Sequence, residues 1–223
     1  IQGKTSEKNG IFFKIPKIEI ICFNTGICFL CIKTNIEESD NFADLLNFNY
    51  KFRDINQEFA NLNNYDNIRV QTDCFEDVKS FKDFIEDLTG PSVETIKLEI
   101  DTERFLTYSY ACIDQEYWNN TNEFERIRSN YIKFANILPN DNNVNFEKED
   151  MKVMSKWKYA KLGITKQGVT LFGSSCDMNN YTVFHQEFQE QYLYTYIIAL
   201  HQKYYLKKLN LELKKQPKIA IRK

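Results

Sequence analysis

The sequence is poor in the residues that most enzymes and nucleotide-binding folds depend on. Its 223 residues include two histidines, seven glycines, four prolines and two tryptophans. The glycines stand singly (Gly3, Gly10, Gly26, Gly90, Gly163, Gly168, Gly173). Neither G-x-G-x-x-G nor G-x-x-x-x-G-K therefore occurs, and a backbone cradle for phosphate is unsupported. The G-x-S-x-G turn that presents a serine nucleophile is also missing. His185 and His201 lie sixteen residues apart on one expected helix, which sets them about 160° apart around its axis. They cannot share a metal, and His185-Gln-Glu-Phe-Gln is not H-E-x-x-H, so each is expected to be a polar helix residue. With no catalytic constellation, the chain is not expected to be an enzyme. No run of 18 apolar residues is present, so nothing in these residues reads as a membrane-spanning helix.

Metal-site patterns fall short in the same way. Six cysteines are present: Cys22, Cys28, Cys31, Cys74, Cys112 and Cys176. Cys28 and Cys31 form a C-x-x-C, but on a strand they face opposite sides. With no second pair there is no zinc pattern, and free cysteines in a reducing cytoplasm are the simpler reading. The loop Asp141–Lys152 has Asp141, Asn143 and Asn145 at alternate positions, as a calcium loop would. Phe146 stands where the turn glycine belongs, however, and Lys152 where the bidentate Glu belongs. The acidic patches Glu37-Glu38-Ser39-Asp40 and Glu147-Lys148-Glu149-Asp150 read as solvated segments, with weak binding of divalent cations across a subunit boundary as the functional alternative. No particular Asp or Glu is assigned as a metal ligand.

What the chain has in plenty is apolar periodicity. Hydrophobic residues make up 43% and charged residues 27%, values of a globular chain able to bury a real core. The dominant stretch is Tyr181 to Lys215, read as one helix of about 35 residues and about 50 Å, unbroken until Pro217. Phe184, Phe188, Tyr192, Thr195, Ala199, Gln202, Leu206, Leu209 and Leu213 follow at spacings of three or four, with a second line (Leu193, Tyr196, Ile197, Leu200, Tyr204) beside it. Such a helix is expected to pack on its own domain and on something else, as a stalk. Leu206, Leu209 and Leu213, at its far end, are the candidate interface residues.

The net charge of −2 hides an asymmetry. Residues 203–223 carry eight basic side chains against Glu212 alone, leaving 21 basic against 30 acidic for residues 1–202. Helix C-termini attract cations, which covers part of this tail. The remainder fits a basic collar at an anionic membrane surface. No mixed basic and aromatic sheet surface accompanies it, so nucleic-acid binding is unsupported. The chain begins at Ile1 and shows no signal peptide, and the reading is of a fragment whose basic end sits where a membrane span would begin.

Residues 1–10 are polar and are expected to be disordered; 11–180 are expected to form an α/β domain, 181–215 the stalk helix and 216–223 a basic tail. Lys17–Phe23 and Ile27–Thr34 read as strands joined at Asn24-Thr25-Gly26, apolar on both faces and so the expected centre of a sheet. A helix is expected from about Asp40 to Asn56, capped by Ser39, Asp40 or Asn41. Asn67–Thr72 reads as a short strand. Asp73 and Glu76 give a capping signal for a helix bearing Val78, Phe81, Ile85 and Leu88 that stops at Gly90-Pro91. Thr95–Ile100 and Phe105–Ile113 alternate as strands, Asn122–Leu138 reads as a helix, and Lys152–Tyr159 and Gly163–Phe172 as late strands with a turn at Gln167-Gly168. The fold class is α+β: a mixed central sheet with helices on both faces in an α/β/α arrangement, followed by the long C-terminal helix.

Four stretches carry a family resemblance: Ile20–Asn35 (IICFNTGICFLCIKTN), Leu46–Ile55 (LNFNYKFRDI), Phe184–Phe188 (FHQEF) and Tyr194–Leu206 (YTYIIALHQKYYL). They resemble the cytosolic N-terminal portion of CorA-like divalent-cation transporters of low-GC bacteria. The resemblance implies an α/β/α domain on the cytoplasmic side of the cell membrane, and a stalk helix leading to a membrane segment that this chain lacks. It implies a homo-oligomer, a pentamer by family pattern, regulated by Mg2+ or another divalent cation held at subunit interfaces and not bound tightly within one chain. The family's Gly-Met-Asn pore motif is absent; Asp177-Met178-Asn179 is not that motif. The alternative is a soluble protein-interaction or sensor domain that uses its long helix to bind a partner.

Overall fold

The computed structural model describes residues 2–4, 11–36, 41–53, 69–71, 79–96, 105–114, 121–138, 152–154 and 158–215. The chain is α+β, with a mixed sheet and a long C-terminal helix. Its strands divide into two sheets rather than one. The first is antiparallel throughout, in the order β3-β2-β1-β4-β5, built from Gln2–Lys4 (β1), Phe12–Cys22 (β2), Cys28–Ile36 (β3), Arg69–Gln71 (β4) and Lys79–Ser80 (β5). The second runs β6-β9-β8-β7, from Thr107–Ile113 (β6), Lys152–Met154 (β7), Ala160–Ile164 (β8) and Gly168–Ser174 (β9). There β6 and β9 are parallel and the other pairs antiparallel.

Several expectations are corrected here. Gln2–Lys4, inside the stretch expected to be disordered, pairs with both β2 and β4, because its backbone groups complete two neighbouring ladders. The β2–β3 hairpin lies at one end of its sheet, not at the centre. Its strands are apolar on both faces for a different reason: a helix layer covers each side. The helix Phe81–Ile96 (α2) runs through Gly90-Pro91 and takes in Thr95 and Ile96, two residues expected to open a strand. Proline removes one helical hydrogen bond, but buried Phe84 and Ile85 hold the preceding turns to the core, and packing overrides a local breaker. That helix begins at Phe81, not near Asp73. Ser80 accepts from the Asp83 amide at 3.1 Å and donates to its carboxylate at 2.7 Å, a capping arrangement. Asp73, Glu76, Val78 and residues 97–100 lie outside the described residues. The run Gly163–Phe172 is not one strand but parts of two, β8 and β9, because the chain turns at residues 165–167. Thr165 donates its amide to the Gly168 carbonyl at 3.0 Å across that turn. Gly168 has φ 151°, and a Cβ there would meet the Thr107 carbonyl oxygen at 1.8 Å, so only glycine fits.

Local chemistry accounts for the other elements. In helix α1 (Phe42–Phe52), Asn41 is the cap, its side-chain oxygen accepting from the Ala43 amide at 3.1 Å. Helix α3 (Thr121–Asn136) closes with Leu138 donating to Lys133 at 2.9 Å and Ile137 to Phe134 at 3.3 Å. That is a Schellman cap with Ile137, at φ 54°, in the place usually given to glycine. Between Lys14 and Lys17 the β2–β3 register slips by one residue, at Pro16, which has no amide to donate. The bulge moves the core-facing positions from Phe13 and Ile15 to Ile18.

One apolar cluster lies under the first sheet, where Phe13, Ile15, Phe48, Val70, Phe84 and Ile85 meet. In the second sheet, Ala111 and Phe172 pack on Leu46 of α1 and on Ile127, Tyr131 and Phe134 of α3. The alternate residues, Tyr108, Tyr110, Val169 and Leu171, point the other way, towards Phe184, Phe188 and Tyr196 of the C-terminal helix. The second sheet is therefore helix-covered on both faces, as expected.

Candidate functional site

The C-terminal helix is built in steps. After β9, Asp177 caps the short helix α4 (Met178–Tyr181), its carboxylate accepting from the Asn179 amide at 3.0 Å. Buried Asn180 donates its side-chain amide to the carbonyls of Tyr159 at 2.8 Å and Ser174 at 3.0 Å. The Tyr110 hydroxyl donates to the Asn180 carbonyl. These bonds fix the direction in which the chain leaves the sheet. The long helix starts at Val183, not Tyr181: Thr182, right-handed but distorted (φ −107°, ψ −72°), closes α4 by donating to the Met178 carbonyl at 3.1 Å.

The helix has three parts: α5 (Val183–Glu187), a π-helical turn (Phe188–Tyr192) and α6 (Leu193–Lys215). Phe188 is 2% exposed and stacks on Tyr108, with ring centres 4.1 Å apart and planes at 13°. The Tyr108 hydroxyl donates to the Phe188 carbonyl at 2.7 Å, at the first residue of the π turn. A π turn holds one residue more than an α turn, and each added residue rotates all that follows by about 100°. The body-facing line therefore steps from Phe188 to Leu193 and continues through Tyr196, Ile197, Leu200 and Tyr204, all buried or half-buried. The line expected to continue inward from Phe188 is rolled outward: Tyr192, Thr195, Ala199, Gln202, Leu206 and Leu213 are exposed, and Leu209 is half-buried.

The first sheet grips the helix further along. Lys33 donates to the Gln189 side-chain oxygen, and the Gln189 amide meets the His185 ring. With Gln189 accepting from Lys33, its NH2 group is the donor to His185, and the ring is the neutral acceptor. Burial lowers the His185 pKa below its ordinary value, and the Lys33 charge lowers it further. The Tyr108 phenol is pushed well up by burial, and Tyr196 to about 12 by burial and then by Tyr204, so both remain protonated. At the tip of the β2–β3 hairpin, His201 stacks on Phe23 at 4.0 Å and bonds Thr25 Oγ1 at 2.8 Å. Lys208 donates to the Thr25 carbonyl at 2.9 Å, and Phe29 meets Tyr204 edge-on at 6.1 Å. Gly26, at φ 78°, makes the tight turn that places Thr25 there.

The helix is thus docked from Phe184 to Lys208, and only its last two turns extend past the hairpin. Of the three leucines singled out from the sequence, Leu206 and Leu213 are 66% and 65% exposed. Tyr194, Ile198, Tyr205 and Leu211 add to the exposed apolar surface. Lys214 and Lys215 end the last turn, and 216–223 lie outside the described residues.

His185 and His201 are held apart, each in its own contacts. Among the described residues no group of three or more His, Cys, Asp or Glu is placed to hold a metal. The patches Glu37–Asp40 and Glu147–Asp150 lie outside them, as does nearly all of the Asp141–Lys152 loop. A cleft of about 90 Å³ opens where the β3 edge of one sheet approaches the β6 edge of the other, lined by Ile32, Thr34, Asn49, Arg53, Thr107 and Ser109 among others. Among the described residues, no helix is long and apolar enough to cross a membrane. Sequence reasoning missed the π turn and the partners Tyr108, Tyr110, Phe23 and Lys33. The one signal available was the second apolar line, which made the apolar face wider than one contact needs.

Comparison with known proteins adds no identification: no family model, no curated protein and no solved structure matches the chain.

Proposed function

We propose that this chain is the cytosolic regulatory domain of a CorA-like transporter of divalent cations, magnesium or a related ion, and that its long helix joins it to neighbouring copies. The observation that carries the reading is the outward-rolled apolar line on a helix already docked along its other face. Ile198, Leu206 and Leu213 are each more than half exposed, while Leu193, Tyr196, Ile197, Leu200 and Tyr204 face the body. An apolar line of that length is stabilised by covering it, and a second copy of the same helix has the same line to bury.

In this reading the fragment neither catalyses nor conducts. Divalent cations held by carboxylates between subunits stabilise one packing of the helices, and their loss shifts the population towards another. The basic end of the helix lies towards the cytoplasmic face of the membrane. The test is sedimentation velocity of the chain in millimolar Mg2+ and in EDTA. A cation-dependent oligomer is expected, and replacing Leu206, Leu209 and Leu213 together by Ser is expected to loosen it while the circular dichroism of the body is kept. A monomer at every protein concentration with and without the cation would overturn the proposal.

The second reading is a soluble interaction or sensor domain. Three tyrosines on the outer surface, Tyr192, Tyr194 and Tyr205, favour it, since tyrosine is enriched where different proteins meet. A monomer that acquires a heterologous helical partner would select it.

A further inference from the structure

The β2–β3 hairpin carries two cysteines directly opposite each other. Cys22 and Cys28 are register partners, the last pair of the ladder before the turn. The next pair inward to the turn, Phe23 and Ile27, is hydrogen-bonded, the Phe23 amide donating to the Ile27 carbonyl at 2.8 Å. Pairs alternate along an antiparallel ladder, so Cys22 and Cys28 occupy a non-hydrogen-bonded pair, where side chains approach most closely and the Cα atoms are about 4.5 Å apart. That separation lies within the roughly 4.4–6.8 Å a disulfide spans. Both thiols are free, and the nearness of Cys22 is one cause of a raised Cys28 pKa. Cys31, three residues on, points to the opposite face with Phe29 and Lys33, towards the C-terminal helix. The face that carries Cys22 packs on the core at Ile18, Leu30 and Ile32, but towards the turn it emerges, and Ile20 and Cys22 are exposed.

We propose that Cys22 and Cys28 form a thiol–disulfide exchange site that a low-molecular-weight disulfide, RSSR, oxidises reversibly to a cross-strand disulfide. The Cys22 thiolate attacks one sulfur of RSSR, giving Cys22–S–S–R and releasing RS⁻. The Cys28 thiolate then attacks the Cys22 sulfur, forming the Cys22–Cys28 bond and releasing the second RS⁻. Two cysteine thiols are oxidised, one RSSR is reduced, and the two protons lost by the cysteines leave on two RSH. Exposure makes Cys22 the point of entry. Burial, the largest cause of the raised Cys28 pKa, persists once Cys22 carries the mixed disulfide, so closure is the slower step and quickens as pH rises. The closed hairpin is the one whose other face holds His201 and Tyr204.

The test uses the whole chain and oxidised glutathione. After incubation at pH 8, free thiols are alkylated, the protein is reduced, and the released thiols are labelled with a second reagent. Tandem mass spectrometry then reads the label on each cysteine. The expected result is the second label on Cys22 and Cys28 together and the first label on Cys31, with the intact chain two hydrogens lighter before reduction. In Cys28→Ser, oxidation is expected to stop with one glutathione on Cys22. Between pH 7 and 8, closure of the wild-type chain should speed by about tenfold, following the Cys28 thiolate fraction. First label on both Cys22 and Cys28, or a disulfide that joins either to a different cysteine, would overturn the proposal. So would a mixed disulfide on Cys22 of the wild-type chain that never resolves.

Discussion

The C-terminal helix before and after Phe188–Tyr192 is one element with two different faces turned to the body. Phe184 and Phe188 point into the second sheet, against Tyr108 and Tyr110. On the far side of the π turn, residues in the same α-helical phase as Phe188 are exposed, and a neighbouring line takes their place against the body. The difference teaches that a helix can serve two surfaces with one sequence. One added residue in a turn rotates the rest by about 100°, and the apolar line not used for docking becomes available to something else. The Tyr108 hydroxyl on the Phe188 carbonyl sits where the phase changes.

The comparison breaks most sharply at its anchor. Phe188→Ala removes a fully buried ring and is expected to cost about 3–5 kcal/mol in urea unfolding, whereas Leu213→Ser should stay within about 0.5 kcal/mol in the same assay. Equal losses would show that the two ends are docked alike. A pair of one-residue deletions comes next. Deleting exposed Ala199 from α6 rotates Leu200, His201 and Tyr204 off the body and is expected to cost about 2–4 kcal/mol. Deleting Gln191 from within the π turn restores an α turn without rotating α6, and should cost less than about 1 kcal/mol. If the Gln191 deletion proves the more damaging, the phase argument fails.

Smaller effects sharpen the picture at the hairpin. His201→Ala loses the stack on Phe23 and the bond to Thr25, and is expected to lower stability by about 1–2 kcal/mol. Hydrogen exchange at Phe23–Ile27 should rise with it, and unchanged exchange would mean that the hairpin does not need the helix.

The smallest effect is one of pH. The folded pKa of His185 lies below the ordinary 6.5, through burial and then Lys33. The unfolded chain therefore takes up a proton where the folded chain does not. Stability is complete above about pH 6.5 and declines as the pH falls through that value towards the folded pKa. His185→Gln should flatten this part of the stability profile, and an identical slope in the variant would rule the group out.

Much of this was legible in residue order because it depends on neighbours in the chain. Alternation placed β6, helical spacing placed α1 and α3, and Asn24-Thr25-Gly26 marked the hairpin turn. The failures have a common cause. Pro91 and Gly90 read as a stop, but a helix held by Phe84 and Ile85 continues through them. Gln2–Lys4 read as loose, but two ladders needed its backbone. Leu206, Leu209 and Leu213 were legible as an apolar run, yet which way they face depends on a turn that ends at Tyr192, several helical turns earlier.

By itself, the sequence determined an α+β domain ending in a long amphipathic helix with a basic end, since periods of two and 3.6 and local charge are written in adjacent residues. Only tertiary structure decided the division of the strands into two sheets and the choice of helical face. Strand partners and helix phase are set by what lies across the fold, by which edge finds an unpaired backbone and which ring, here Tyr108, meets Phe188.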